Sequence, residues 1–212
     1  MSGLTPENAF IFRITHIRNI PWMLDNGLHC RNSHLVDPNF ISIGNTDLIQ
    51  ARHTREVPIA PGGVLSDYIP FYFTPFSIMM FNIKTGYGGI RHIPNEEIVI
   101  LCGSLHDLAA MGRPFVFTNQ HAYPVTAEYF NDLGELNCID WQILRKRDFK
   151  HNPEDPGKKE RYQAEALAYQ QLPIADFRGV ACHNPTVQAQ LQNQVAQRGL
   201  QLNIISRPDW YF

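Results

Sequence analysis

The chain lacks the short motifs that mark the standard nucleotide-binding and metal-binding sites. It contains no GxGxxG, no GxxxxGK followed by Ser or Thr, no HExxH and no close cluster of histidines and cysteines. Because those patterns supply the usual phosphate cradles and metal ligands, a nucleotide must bind here through another architecture, and no metal is expected. The four cysteines form no CxxC pair, so we expect reduced thiols rather than a disulfide framework.

An excess of one charge and long apolar runs are also missing. The formal net charge is −2, so the chain as a whole has no polyanion-binding signature and any basic surface must be local. No apolar stretch reaches membrane-spanning length, and no apolar segment preceded by positive charge opens the sequence. We therefore expect a cytoplasmic protein with no membrane association.

What is present indicates one α+β domain spanning residues 1–212, without internal repeats. Five or six short strands alternate with short helices and long loops. Strands are predicted at residues 10–17, 97–102, 114–118, 178–183 and 200–206. Helices are predicted after Asn19 and over residues 46–55, 104–112, 126–134 and 185–198.

A single glutamate occupies an unusual position in the stretch KKERYQAEALAYQQ, residues 158–171. Glu165 lies between Ala164 and Ala166 and precedes Leu167, so its carboxylate arises from a small, apolar segment. A desolvated and unpaired charge on such a segment would be costly. Two interpretations stay open: the polar side of an amphipathic helix, or a cleft in which the carboxylate is paired or performs chemistry.

The strand predicted at residues 10–17, FIFRITHI, alternates with a period of two. One face carries Phe10, Phe12, Ile14 and His16, and the other carries Arg13 and Thr15. Asn19 is then typical of a helix N-cap, Pro21 of a first turn and Gly27 of a C-terminal stop. His16 is either a structural histidine at the strand end or a site residue.

Arg52 lies on the inward face of the short predicted helix TDLIQARHTR, which Asn45 or Thr46 would cap. It follows Leu48 by four residues and Ile49 by three, which places it among apolar side chains. The pattern fits a site arginine, or an arginine whose stem covers apolar surface while its head reaches water.

Two further runs have competing interpretations. Residues 67–83, DYIPFYFTPFSIMMFNI, are rich in aromatics, and Pro70 and Pro75 exclude a regular helix or a fully paired central strand. These aromatics either line a pocket or fill the core. Residues 145–161 carry two basic clusters around a proline-broken centre, and they either approach a partner or form solvated surface.

Four segments together resemble the DarT family of DNA ADP-ribosyltransferase toxins, and the resemblance covers nearly the whole chain. The segments are ITHIRNIPWMLDNGL, GGVLSDYIPFYFTPFSIMMFNI, FVFTNQHAY and ERYQAEAL. The resemblance implies the ADP-ribosyltransferase fold, in which two small sheets flanked by short helices form an NAD+ cleft. It also implies that NAD+ is consumed as co-substrate and that ADP-ribose is placed on a base, typically thymine, of single-stranded DNA. The implied partner is a DarG-type macrodomain antitoxin in a bacterial cytoplasm.

The resemblance also assigns residues to roles. Glu165 matches the catalytic glutamate, and Arg52 matches the arginine required for transfer, with Arg55 close enough to compete for that register. The residues matched to NAD+ binding are His16, Asn19, Gly27 and Tyr72, the last as part of the nicotinamide wall. Phe76 stands where many relatives carry an arginine, so this chain lacks that candidate phosphate contact.

Contacts to DNA follow partly from the resemblance and partly from charge. His121 falls in the loop that engages the substrate in the family. Single-stranded DNA needs phosphate neutralisation and base stacking, and the two basic clusters could supply the first. The predicted DNA-contacting residues are therefore His121, Arg145, Lys146, Lys158 and Arg161.

The residue types suit this chemistry, but two other functions stay open. A fixed carboxylate at Glu165 could stabilise positive charge on the ribose and bond its 2′-hydroxyl, while Arg52 acts electrostatically on the incoming base. The same NAD+ chemistry could instead modify guanine, RNA or protein. A non-catalytic module that binds NAD+ or nucleic acid is the third possibility.

Overall fold

The computed structural model describes residues 3–212. Within that range the chain forms ten strands and seven α-helices joined by loops and short 3-10 turns. The strands are β1 (Phe10–His16), β2 (Leu28–His29), β3 (Tyr68–Tyr72), β4 (Ile98–Ser104), β5 (Phe115–Thr118), β6 (Tyr129–Phe130), β7 (Glu165–Tyr169), β8 (Gln171–Leu172), β9 (Gly179–Cys182) and β10 (Ile204–Ser206). The helices are α1 (Ile20–Asn26), α2 (Thr46–Ala51), α3 (Ile78–Thr85), α4 (Leu105–Ala110), α5 (Trp141–Lys146), α6 (Lys158–Arg161) and α7 (Pro185–Gln197).

The α+β class is confirmed, and the strands are arranged in one large and one small sheet. The large sheet has eight strands in the order β10-β9-β4-β1-β3-β7-β5-β6, and β2 pairs with β8 in a two-stranded sheet. The expectation of two small sheets corresponds to the two halves of the large one. These halves meet where β1 and β3 pair at a single position, Phe12 opposite Tyr72.

The weak join between β1 and β3 has a cause in the sequence. Pro70 in β3 has no N–H to donate to a neighbouring strand. Its carbonyl oxygen instead accepts a hydrogen bond from Nη1 of Arg13, at 2.9 Å. On its other edge β3 pairs continuously with β7, and this register sets Tyr72 opposite Glu165. The first residue of β7 is thereby placed beside the opening between the two halves.

Hydrophobic patterning explains β4 and the helix that packs on β9 and β10 at the edge of the same half of the sheet. Residues 98–101 of β4 are fully buried, as expected for a strand covered on both faces. Helix α7 packs on the sheet through Val187, Leu191 and Val195, which recur every four residues, and the side chain of Asn184 caps its first turn. The predicted first strand, final helix and final strand are confirmed.

Two local predictions are wrong. The helix expected over residues 126–134 is absent, and the segment contains β6 followed by a 3-10 turn over Leu133–Cys138. Glu165 begins a strand, which removes the amphipathic-helix interpretation of its surroundings. In both places a sheet neighbour, β5 for β6 and β3 for β7, determines the backbone rather than local propensity. None of the helices within residues 3–212 is long and apolar enough to cross a membrane.

Candidate active site

The opening between the two halves of the sheet is the mouth of a cavity of about 610 Å³. This volume is in the range of typical small-molecule sites. The walls come from β1, β3, the start of β7, helix α2 and the irregular segment 27–45. The charged and polar side chains that line it include Arg13, Arg52, Tyr72, His121 and Glu165.

Glu165 lies at the bottom of this cavity with only 2% of its surface exposed. Its backbone N–H donates to the Thr118 hydroxyl at 3.2 Å, which fixes the residue at the first position of β7. Its Oε1 accepts the backbone N–H of Ala122 at 3.1 Å. Its Oε2 accepts from Nη1 of Arg52 at 3.0 Å. A buried carboxylate held by several donors has a fixed orientation.

The charge on Glu165 is maintained despite its burial. Burial is the largest single influence and would raise the pKa of this carboxyl group. The positive charge of Arg52, the ring of His121 and the Ala122 N–H together outweigh it, and the pKa of Glu165 is lowered from its ordinary value. Glu165 is therefore a carboxylate at neutral pH inside a water-poor cavity.

Arg52 follows directly from α2, whose first turn is capped by the Asn45 side chain accepting from the Leu48 N–H. Helix α2 carries its guanidinium into the cavity, where Nη1 holds Glu165. Its Nη2 is buried and has no hydrogen-bond partner within residues 3–212. A buried donor without an acceptor is uncommon and leaves room for a ligand atom. Arg55 points elsewhere and donates to the Pro124 carbonyl at 3.2 Å, so of the two arginines Arg52 is the one that contacts Glu165.

His121 stands next to the carboxylate in a defined tautomer. Its Nδ1 accepts the backbone N–H of Tyr123 at 3.2 Å, so that nitrogen carries no proton. The proton of the neutral ring is then on Nε2, which lies 3.7 Å from Oε1 of Glu165. His121 can therefore offer a hydrogen bond to the carboxylate or to a substrate, but its Nδ1 lone pair is already engaged.

Tyr72 and Arg13 complete the charged floor of the cavity. Burial raises the pKa of the Tyr72 phenol and the Glu165 carboxylate raises it further, so Tyr72 remains a neutral donor. Burial lowers the pKa of Arg13 to about 10, and the nearby charge of Arg52 acts in the same direction. The Nε of Arg13 is a second buried donor without a partner within the described residues.

Arg13 lines the cavity but was not predicted as a site residue. The strand pattern placed it on the polar face of β1, and the resemblance assigned NAD+ binding to His16 on the opposite face. The available signal was a lone arginine inside an otherwise apolar strand. To recognise it as a site residue, one would have to know that β1 lies beside β3. Pairing between β1 and β3 is a long-range property, and strand periodicity alone does not reveal it.

His16 lies outside the main cavity. Its Nδ1 accepts the Arg18 N–H at 3.1 Å and its Nε2 pairs with Glu97 Oε2 at 3.0 Å. It borders a second cavity of about 550 Å³, which shares residues 42–45 with the first. Both ring nitrogens thus have protein partners, the arrangement of a structural histidine.

Asn19 and Gly27 shape the cavity wall. Asn19 is fully buried; its Nδ2 donates to the Ile41 carbonyl at 2.9 Å, and its Oδ1 accepts the Ile41 N–H at 2.8 Å. These two bonds fix the segment that separates the two cavities, whereas the predicted side-chain cap of α1 is absent. Gly27 lines the main cavity with φ of +79°, and a Cβ there would meet the Leu172 carbonyl oxygen at 2.6 Å.

The predicted DNA-contacting cations differ in their surroundings. Lys158 is buried and its Nζ bonds both carboxylate oxygens of Asp148 at 2.9 Å. Arg161 contacts Asp155 at 2.7 Å and Asp140 at 3.3 Å. Arg145 and Lys146, at the end of α5, are exposed, with Nη1 of Arg145 donating to the Leu4 carbonyl.

Phe76 has become part of the core. It is 1% exposed, and the Arg147 guanidinium lies 3.4 Å from its ring centroid in a cation–π contact. Arg147, which follows the last residue of α5, thus covers the Phe76 ring. Within residues 3–212 no group of three or more potential metal-binding side chains is present.

The sheet opens at a weakly paired strand and has a buried glutamate at the first position of the neighbouring strand, which agrees with the ADP-ribosyltransferase fold that the resemblance implies. Comparison with solved structures agrees. DarT of Thermus sp. 2.9 in complex with ADP-ribosylated ssDNA superposes with a TM-score of 0.89 at 32% identity, covering 98% of each chain. The same protein in complex with NAD+ gives a TM-score of 0.81 at 33% identity, covering 98% of this chain and 99% of that one.

The sequence comparisons identify the family. The profile of DarT, ssDNA thymidine ADP-ribosyltransferase, matches residues 12–212. A DNA ADP-ribosyl transferase of Escherichia coli O127:H6 is 51% identical over this whole chain and 97% of its own length. The chain belongs to the DarT family.

Proposed function

We propose that this protein transfers ADP-ribose from NAD+ to thymine bases in single-stranded DNA. The observation that carries the proposal is the buried, ionised carboxylate of Glu165, held by Arg52 and the Ala122 N–H at the bottom of an open cavity. The description of the DarT family and the Thermus complexes with NAD+ and with ADP-ribosylated ssDNA support the choice of co-substrate and acceptor.

The reaction breaks the bond between the nicotinamide nitrogen and C1′ of its ribose, and forms a bond from C1′ to a thymine nitrogen. Positive charge develops on the ribose as nicotinamide leaves. Glu165 stabilises this charge and accepts a hydrogen bond from the ribose 2′-hydroxyl. As the bond from C1′ to N3 of thymine forms, N3 releases its proton to solvent, and nicotinamide leaves as a neutral molecule, so the products are the adduct, nicotinamide and one proton. The Arg52 guanidinium, whose Nη2 is free to bond a ligand, lowers the cost of the negative charge that this loss creates.

The remaining side chains position the two substrates. Tyr72 walls the nicotinamide side of the cavity, and Gly27, which has no Cβ to meet the Leu172 carbonyl, shapes the wall against which NAD+ binds. Asn19 acts indirectly by holding the wall at Ile41. His121 supplies an N–H at the carboxylate on the side from which the base enters. Exposed Arg145 and Lys146 are suited to phosphate contact, whereas Lys158 and Arg161 could contact phosphates only by opening their aspartate pairs.

The wider context is proposed on the same basis. The large sheet joins strands from both ends of the chain, β1 and β10, which supports one DarT-type domain over residues 1–212. The protein acts in the bacterial cytoplasm, where NAD+ and DNA are available. There it is the toxin of a toxin–antitoxin pair, and a DarG-type macrodomain protein reverses its modification.

The test is mass spectrometry of single-stranded oligonucleotides after incubation with NAD+. An oligonucleotide with a single thymine should gain one ADP-ribose, while the same oligonucleotide with cytosine in that place should not. Glu165→Gln keeps the shape and removes the charge, and should lower the rate by at least about 10²–10³-fold. Glu154→Gln, an exposed glutamate in the loop before α6, is the matched control and should behave like the unmodified protein.

Other outcomes separate the alternatives. Release of nicotinamide without a DNA adduct would retain the NAD+ chemistry and direct the search to guanine, RNA or protein acceptors. An absence of both signals, with NAD+ binding intact, would favour a binding module. Equal rates for Glu165→Gln and the unmodified protein would contradict the catalytic role given to this carboxylate.

A further inference from the structure

The loop of residues 119–128 is anchored directly to the catalytic carboxylate. The Ala122 N–H donates to Glu165, and the Ala122 carbonyl accepts from the Tyr129 hydroxyl at 2.6 Å. Arg55 bonds the Pro124 carbonyl, and the backbone N–H of His121 bonds the Glu160 carbonyl at 3.0 Å. The loop is therefore a rigid structure with several anchors, and the chemistry proposed above depends on it.

Two apolar side chains of this rigid loop face solvent. Tyr123 is 40% exposed and Val125 is 85% exposed, although their neighbours His121, Ala122 and Ala127 are buried. Within residues 3–212 the Tyr123 hydroxyl makes no hydrogen bond, and the ring joins no aromatic pair. Its backbone N–H, in contrast, is used to fix the tautomer of His121. The fold thus uses the main chain of Tyr123 and leaves its ring free.

The position of Tyr123 relates its ring to the reaction. Because the Ala122 nitrogen lies 3.1 Å from Glu165 Oε1, the Cα of Tyr123 is within about 8 Å of that oxygen. Successive bases in a strand are about 3.4 Å apart when stacked. A nucleotide adjacent to the reacting one is therefore within reach of this side chain.

We propose that Tyr123 is the stacking platform for a base that neighbours the modified base in the DNA strand. The proposal rests on the function proposed above. A phenol ring on a rigid loop loses little freedom on binding, and aromatic stacking is the usual way in which proteins hold single-stranded bases. The stacked base fixes the strand so that its neighbour enters the cavity, which makes Tyr123 a residue for DNA positioning rather than for NAD+ cleavage.

The experiment combines variants of Tyr123 with a scan of abasic sites. Tyr123→Ala should raise the KM for a thymine-containing oligonucleotide about 10-fold, the size expected for one lost stacking contact. Tyr123→Phe keeps the ring and should restore the KM, and Val125→Ala is the control for the same exposed loop. The dissociation constant for NAD+, measured by calorimetry without DNA, should be unchanged in all three.

An abasic scan identifies the stacked base without altering the protein. Removing the base at one position beside the target thymine should raise the KM of the unmodified protein. The same removal should have little further effect on the KM of Tyr123→Ala. If no neighbouring position is sensitive, or if Tyr123→Phe is as impaired as Tyr123→Ala, the proposal is wrong. Absence of any DNA adduct with the unmodified protein would instead count against the proposed function itself.

Discussion

The cavity around Glu165 and the segment 140–161 both pair cations with carboxylates at short distance, but they differ in what remains unpaired. In the cavity, Arg52 and Glu165 meet at 3.0 Å with 12% and 2% of their side chains exposed, and one guanidinium nitrogen of Arg52 has no hydrogen-bond partner among residues 3–212. In the segment, Lys158 pairs with Asp148, and Arg161 pairs with Asp155 and Asp140 at partly exposed positions.

This difference distinguishes an ion pair that forms part of a ligand-binding site from ion pairs that only stabilise the structure. Desolvating an ion pair is costly, so a buried pair with an unused donor indicates a site that a ligand completes. Partly exposed pairs contribute little energy each, but together they fix a segment in place. Arg161 links the N-cap residue of α5 to the loop before α6, immediately ahead of Glu165. Of the four predicted DNA-contacting cations in this segment, Lys158 and Arg161 are therefore balanced within the chain, whereas Arg145 and Lys146 are exposed.

The largest expected effect comes from breaking the buried pair. Arg52→Gln should lower kcat by about 10²–10³-fold, because a fixed cation at the reacting atoms is lost. Without Arg52, burial again raises the pKa of Glu165, so the acidic limb of the pH–rate profile should move to higher pH. A merely structural arginine would not shift that limb.

The matched control for Arg52 is an arginine–carboxylate pair at the surface. Arg178 pairs with Asp107 with half of its side chain exposed, and neither residue lines the main cavity. Arg178→Gln should leave both kcat and the pH–rate profile unchanged. Equal losses in the two variants would show that the contrast between buried and exposed pairs has no functional meaning here.

A moderate effect is expected from the exposed end of the basic segment. If Lys146 contacts a phosphate, Lys146→Gln should reduce the slope of log affinity for single-stranded DNA against log salt concentration by about 0.7. Lys158→Gln should leave that slope unchanged and lower the Tm, because its charge is held by Asp148. Fluorescence anisotropy at a series of salt concentrations measures the first quantity. A reduced slope in Lys158→Gln, with an unchanged Tm, would reverse the roles of the two lysines.

The sequence predicted the elements that depend on local pattern. The alternation of residues 10–17, the helix cap at Asn45 or Thr46 and the last helix over residues 185–198 all correspond to observed elements. Glu165 and Arg52 were predicted as site residues because of their unusual apolar neighbourhoods and the resemblance to DarT, and the fold brings them together.

The ion pairs and strand pairs between residues distant in the chain could not be predicted from the sequence. Whether a lysine is free or paired depends on a carboxylate elsewhere, as with Lys158 and Asp148, ten residues apart across a loop. Whether a strand residue faces a cavity depends on the neighbouring strand, which is why Arg13 was overlooked. The helix predicted at residues 126–134 fails for the same reason, since pairing with β5 makes Tyr129–Phe130 a strand.

The smallest effects distinguish two residues of β1, His16 at its end and Arg13 at its middle. His16, with both ring nitrogens bonded inside the protein, should act on stability: His16→Ala should cost about 1–2 kcal/mol of unfolding free energy. The affinity of the His16→Ala protein for NAD+, measured by calorimetry, should change by less than about 3-fold, which is under 1 kcal/mol. Arg13→Gln removes a cavity cation from the same strand and should weaken NAD+ binding by about 10-fold, the size of one charged hydrogen bond. The opposite pattern would place NAD+ against His16, as the resemblance implies, and would extend the binding site across the wall at residues 42–45 into the second cavity.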